Sequence, residues 1–473
     1  MNRRVIGQGS HRGFLIGMAM VAILFSFTSA VAEDRPPNII LLLLDDAGWG
    51  DFSCYGQQHF HTPHIDRIAS EGMRFTQHYS GSTVCAPTRC SLMTGLHTGH
   101  AYVRGNREVK PEGQAPMPAD IVTIPRLLKK VGYRTGAFGK WGLGAPGSSS
   151  DPARHFDVFF GYNCQREAHR YYPQHLWKNF EKVPLDGQTY SAELILQEAM
   201  QFVRDTQDQP FFLYLPVTIP HAAMQGPEEF VAPFRRRFSQ FEDVIGRYAG
   251  TESRNPIAQF AGMMTYLDHQ VGQLDALLTE LGLRENTLFL ITSDNGPHRE
   301  GGHDPDFFDS NGPFRGYKRD LYEGGIRAPL IARWPGHIRA GSLSELVCAH
   351  WDLLPTVCEV AGATVPQHID GISLVAELTG RADSPVHDYL YWEFYEQGGK
   401  RAARFGDWKA VQLNLGKSMD GPIEVYDLAT DPGETTDVAD QHPDVVQQAR
   451  RIFAEAHTPS PLWSFSQPKR KKN

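Results

Sequence analysis

The sequence predicts an α/β fold: a large, mostly parallel sheet flanked by helices, followed by a small C-terminal antiparallel sheet subdomain. Three observations predict it. Uninterrupted apolar runs recur through the chain, stretches of helical periodicity separate them, and after about residue 380 short strand-like segments joined by Gly and Asp turns take over.

The first run, Asn38 to Leu44, carries six consecutive aliphatic residues. A strand with one wet face would alternate, so an unbroken run means burial on both faces, as in a parallel sheet covered by helices. Similar runs, at Arg134 to Phe138, Phe211 to Val217, Thr287 to Thr292 and Pro329 to Ala332, are read as buried parallel strands of the same kind. Between them, Thr123 to Val131 and Ala258 to Leu281 space their apolar residues as helices do. Further on, Tyr389 to Trp392, Ala402 to Phe405, Trp408 to Leu413 and Glu424 to Leu428 read as short strands, with a helix over Asp444 to Ala456. The expected division is a main domain over 33–380 and a subdomain over 381–473.

At the N-terminus, Arg3, Arg4 and Arg12 precede an apolar stretch, Phe14 to Phe27, which leads into Ser29-Ala30-Val31-Ala32. A positive start, a short apolar middle and small residues before a polar segment describe an export signal over residues 1–32, cut after Ala32. The stretch is too short to span a membrane comfortably. Export to a periplasmic or extracellular location, without stable membrane insertion, is therefore expected. With 46 basic and 54 acidic residues spread along 473, the formal net charge is −8, which argues against a nucleic-acid partner. The Lys469-Arg470-Lys471-Lys472 run reads as a solvated tail.

Polar residues cluster where ligand sites of open α/β sheets lie, at the carboxyl ends of strands. Asp45 and Asp46 follow the first run, Lys140 the second and His221 the third, while Asp294 and Asn295 follow the fourth. Each doublet alone is an ordinary turn. Together they offer three carboxylates and an amide oxygen, a donor set suited to a hard cation, Ca²⁺ or Mg²⁺. His59, His61 and His64 read as a turn-rich surface stretch, since no further zinc-type ligands accompany them. In Cys85-Ala86-Pro87-Thr88-Arg89, Pro87 fits the first turn of a helix, which puts Cys85 at its start and Arg89 one turn on. A helix N-terminus with an arginine makes an anion cradle; the segment taken alone also fits a buried structural cysteine.

Cys85 to Arg89 resembles the Cys-x-Pro-x-Arg signature of the type I, formylglycine-dependent sulfatases, an arylsulfatase-like family of the alkaline phosphatase superfamily. The resemblance extends through Leu44 to Asp51, Gly139 to Gly144, Pro220-His221, Ser293 to Gly296, Arg315 to Lys318, Glu323 to Arg327, Gly406 to Lys409 and Tyr426 to Leu428. It implies that a maturation enzyme oxidises Cys85 to formylglycine, leaving five cysteines, of which at least one stays free. It also implies a metal site of Asp45, Asp46, residue 85, Asp294 and Asn295. The implied reaction is hydrolysis of a sulfate ester: one hydroxyl of the formylglycine hydrate attacks sulfur, and the second expels sulfate and restores the aldehyde. Arg89, Lys140 and Lys318 would neutralise the sulfate oxygens, and His221 would protonate the leaving oxygen or bind sulfate.

One position departs from the family pattern. Many sulfatases carry a histidine two residues after the lysine corresponding to Lys140, where this chain has Gly142. His169 is the expected substitute and substrate contact. A hydrolase of phosphate or phosphonate esters on the same scaffold is the alternative function; a catalytically silent binding protein would have lost Cys85, Arg89 or an aspartate. The stretches 162–182 and 225–255, with Tyr171, Tyr172, Trp177, Arg235, Arg236 and Arg237, suit a sulfated small molecule or saccharide, a sugar ring with its anion.

Overall fold

The structure, a computed structural model, describes residues 35–465 and the isolated Gly9. Apart from Gly9, the expected export signal lies outside the described residues, as does the basic run at 469–472. The described residues from Pro36 onward form one compact unit.

A ten-stranded sheet runs in the order Ser342–Ser344, Met73–Phe75, Leu330–Arg333, Thr287–Ser293, Asn38–Asp45, Phe211–Pro220, Arg134–Lys140, Val158–Tyr162, His175–Lys178, Glu181–Pro184. Its five central strands, from Thr287–Ser293 to Val158–Tyr162, are parallel. The apolar run of Asn38–Asp45 is explained by its neighbours on both faces. Ile40, Leu42 and Leu44 enter one core with the helices Ser191–Asp205 and Pro256–Glu280. Ile39, Leu41 and Leu43 enter the other with the helices Cys85–Thr94, Ile124–Lys129 and Leu353–Val360. Each such side chain contributes about 1.5–3 kcal/mol on full burial, so a charge at either parity of this strand would break one core. The long helix starts two residues before its predicted first residue. Pro256 needs no N–H partner at that position, and the Asn255 side chain caps the free N–H of Ala258 at 3.0 Å.

The expectation of a parallel strand at Pro329 to Ala332 is corrected. Leu330–Arg333 runs antiparallel to Thr287–Ser293, with Ile291 opposite Ile331. The intervening residues contain only the one-turn helices Pro305–Phe308 and Glu323–Ile326. No full crossover helix returns the chain to the sheet's other end, so the next strand runs back.

The C-terminal strands Leu390–Phe394, Lys400–Phe405, Trp408–Leu413 and Glu424–Asp427 form a four-stranded antiparallel sheet in chain order. One face packs on the helix Pro443–Glu455 through Tyr391, Ala403 and Val425. The other, with Trp392 and Val411, packs on Tyr79, Leu321 and Trp351. All six cysteines are unpaired. Among the described residues no helix is long and apolar enough to cross a membrane.

Candidate active site

The parallel register brings the two acidic doublets together. Leu44 lies opposite Ser293, and just beyond them Asp294 N–H donates to Leu44 O at 3.0 Å while Asp46 N–H donates to Asp294 Oδ1 at 3.1 Å. Asp46 has a positive φ of 69°, which turns the chain out of the strand at the site itself. Gly296 must be glycine, because a Cβ there would stand 1.9 Å from Gly324 O in the one-turn helix Glu323–Ile326 that follows Lys318.

Cys85 is the first residue of the helix Cys85–Thr94, and Val84 before it is extended. Its Sγ lies 3.3 Å from Asp45 Oδ1, and Lys140 Nζ donates to the same sulfur at 3.3 Å and to Asp45 Oδ2 at 2.5 Å. Lys140 ends its strand after Gly139, whose φ of +133° and closeness to Pro216 O exclude a side chain. Arg89 is fully buried; it donates to Asp294 Oδ2 at 2.9 Å and Lys140 O at 2.6 Å. Its guanidinium thus braces the carboxylates rather than lining an open cradle. On the other side, Lys318 Nζ donates to Asp46 Oδ2 at 2.8 Å and meets His221 Nε2 at 3.1 Å. His221 Nδ1 bonds Ala222 O, so Nε2 is the acceptor facing Lys318. The Asn295 amide donates to Asp46 Oδ1 at 2.8 Å. All nine predicted residues of the strand ends, the Cys85 helix and the Lys318 loop meet in one place.

The charges are interdependent. Burial raises the carboxyl of Asp45, but the charges of Lys140 and Arg89 work against it, and Asp45 is held below the usual range. Asp46 is held low against burial chiefly by Lys318. Asp294 is pushed up to about 7 by burial and by Asp45, offset only in part by Arg89. Burial and the charge of Asp45 push the Cys85 thiol well up, so an unmodified cysteine here is a poor nucleophile at neutral pH. Burial and Lys318 depress His221 to about 3, making it a neutral imidazole.

His169 stacks flat on His221, ring centroids 4.3 Å apart and planes within 5°. It is not the group beside Gly142: a Cβ there (φ +72°) would lie 3.2 Å from Cγ and Nε2 of Gln165. The Gln165 Nε2 and both side-chain polar atoms of Asn163 are buried and have no hydrogen-bond partner among the described residues.

Of the expected substrate-loop residues, Tyr171 is corrected. It is fully buried, and its hydroxyl donates to Thr218 O at 2.7 Å and His221 O at 2.9 Å, supporting the His221 loop from behind. Trp177 bonds Glu112, Arg235 pairs with Glu228 and Glu242, and Arg237 bonds His59 O. Tyr248, in the same 225–255 stretch, does reach the site, with its ring 5.1 Å from His169 and 5.5 Å from His221. The reading also missed Gln165, His298 and Glu300. His298 and Glu300 follow Asn295 by three and five residues, a proximity that could have flagged them.

The chain is similar to known proteins over most of its length. Residues 37–363 match the family model described as Sulfatase, and residues 312–456 match that of the N-sulphoglucosamine sulphohydrolase C-terminal region. The chain is 33% identical over 426 residues to the N-acetylgalactosamine-6-sulfatase of Homo sapiens, covering 83% of this chain and 76% of that one. It is 31% identical over 488 residues to arylsulfatase A of Homo sapiens, covering 91% and 90% of the two chains. The crystal structure of Ps i-CgsB in complex with k-i-k-neocarrahexaose superposes with a TM-score of 0.77 at 27% identity, over 92% of this chain and 96% of that one.

Proposed function

Because this chain belongs to the sulfatase family and is a sulfuric ester hydrolase, we propose that it removes sulfate from a sulfated saccharide, using a formylglycine made from Cys85 and a bound divalent cation. The observation that carries the reading is the place of Cys85, at a helix start and within 3.3 Å of both Asp45 and Lys140. Support for a saccharide comes from two sides: a relative named for N-acetylgalactosamine 6-sulfate, and a similar structure solved with a neocarrahexaose.

The residues present fit a hard cation. One atom each from Asp45, Asp46, residue 85 and His221 lie within 4.8 Å of one another. Asn295 Oδ1 is buried without a hydrogen-bond partner among the described residues, as an oxygen ligand would be in the absence of its ion. Asp45, Asp46, Asp294 and Asn295 would hold Ca²⁺, or Mg²⁺, beside residue 85. The cation supplies Lewis-acid polarisation, and the aldehyde hydrate supplies an oxygen nucleophile with its own exit route for sulfate.

The chain's own residues do the rest. Lys140, held against Asp45, presents its ammonium to the nucleophile and to the sulfate oxygens. Arg89 fixes Asp294 and the Lys140 backbone, which keeps these donors in place without solvent reorganisation. Lys318 and His221 form a proton-sharing pair from which the leaving alcohol oxygen takes its proton as the S–O ester bond breaks. The net reaction consumes one water and releases alcohol and sulfate.

Exported protein carrying oxidised residue 85 is expected to hydrolyse aryl sulfates and sulfated oligosaccharides. Paired assays with matched phosphate and phosphonate esters test this; faster turnover of the phosphorus esters would replace the reading with the alternative hydrolase.

A further inference from the structure

We propose that Glu300 sets the charge that the site accepts, favouring the singly charged sulfate monoester over the doubly charged phosphate monoester; this rests on the sulfatase reading above. Glu300 Oε2 lies 3.1 Å from Lys318 Nζ and 3.9 Å from His221 Nε2. Its other oxygen pairs with Arg319 Nη1 at 2.7 Å. The position is built. Glu300 N–H donates to His298 Nδ1 at 3.0 Å, and His298 Nε2 reaches Pro220 O at 3.4 Å, next to His221. Arg319, itself at a φ of 79°, is held by its N–H to Thr83 O and by Lys400 Nζ on its carbonyl.

The electrostatic consequence follows from orientation. One carboxylate oxygen meets the pair proposed to receive the ester, while the compensating guanidinium holds the other oxygen and is the more exposed partner, 29% against 20% for Glu300. Lys318 is therefore shared by Asp46 and Glu300 before any substrate arrives. A sulfate monoester brings one negative charge. A phosphate monoester above its second pKa, about 6, brings nearly two, and the additional charge meets Glu300. The charged or titratable groups facing Glu300 are Lys318, Arg319, His221, His298, Tyr248 and Asp46. Among the described residues, Asp46 and Glu300 are the carboxylates that pair with Lys318, and Glu300 is the more exposed.

The test uses calcium-loaded enzyme with residue 85 oxidised, assayed on 4-nitrophenyl sulfate and 4-nitrophenyl phosphate. In Glu300→Gln the phosphate-to-sulfate ratio of kcat/KM should rise about tenfold or more at about pH 8, the effect of a unit charge a few ångströms away. At about pH 5, where phosphate monoesters carry one charge, the rise should shrink. An unchanged ratio at the higher pH, or an equal rise at both, overturns the proposal. Absence of sulfate turnover in the unaltered, oxidised enzyme would instead refute the underlying reading. Should Glu300→Gln fail to fold, inhibition of the unaltered enzyme by inorganic phosphate, relative to sulfate, should weaken from about pH 5 to pH 8; strengthening overturns the proposal.

Discussion

The ammonium of Lys140 stands 3.3 Å from the sulfur of Cys85, and each of them also touches Asp45. A lysine from one strand end, a cysteine from a helix start and an aspartate from the end of a strand two places away in the sheet thus form one buried triangle. Burial and the charge of Asp45 raise the pKa of the thiol, so an unmodified sulfur at this position is a poor nucleophile.

Lys140→Ala is expected to lower kcat by about 10²–10³ with a smaller change in KM, because the ammonium is proposed to neutralise charge that develops during reaction. It also leaves Asp45 buried without its closest partner. Steady-state kinetics with a folding check by circular dichroism separates the two effects; a KM change alone would remove Lys140 from this role.

His169→Ala should slow turnover much more than it weakens substrate binding, because His169 lies flat against His221. The measurement is the separate determination of kcat and KM on one sulfate ester. Unchanged turnover would leave His169 as packing only.

Chelation should abolish activity and added Ca²⁺ should restore it. Asn295→Ala should weaken Ca²⁺ affinity by about tenfold or more, since it removes a buried oxygen that has no hydrogen-bond partner among the described residues. Calorimetric calcium titration reads this without reference to turnover; equal affinities would contradict the ligand assignment.

Stability should fall as pH drops below neutral, through a buried neutral histidine, His155, that packs on Trp141 outside the site. Burial, with Arg126 and Lys129 nearby, lowers His155 to about 3. Its unfolded form binds a proton below about 6.5, so the folded state loses stability as pH falls from there towards the folded pKa. Between pH 7 and pH 5 this amounts to about 2 kcal/mol. His155→Asn, which keeps a hydrogen-bonding partner for the Thr123 hydroxyl (3.1 Å from Nδ1 in the native protein), should flatten that part of the profile. Denaturant melts across the range decide it.

The central strands and the acidic doublets were legible because one constraint produces both. A strand buried on two faces must be apolar throughout, and its first polar residues then mark the sheet edge where ligands bind, as at Leu44-Asp45 and Ser293-Asp294. The direction of Leu330–Arg333 was not legible, because strand composition does not encode pairing sense. The contacts of Glu300 and Gln165 were hidden for a related reason, although Glu300 follows Asn295 by only five residues. Both residues sit in aperiodic segments, and only the folded chain brings Glu300 to Lys318 and Gln165 to the space beside Gly142. Tyr171 looked like a substrate aromatic, since sequence does not show which way a loop side chain turns.

The most direct test is the mass of the tryptic peptide Phe75–Arg89 from active protein made in a host with the maturation enzyme. The account predicts an aldehyde, or its hydrate, at residue 85, in a fraction that tracks specific activity. A plain thiol at residue 85 in a fully active preparation would contradict it.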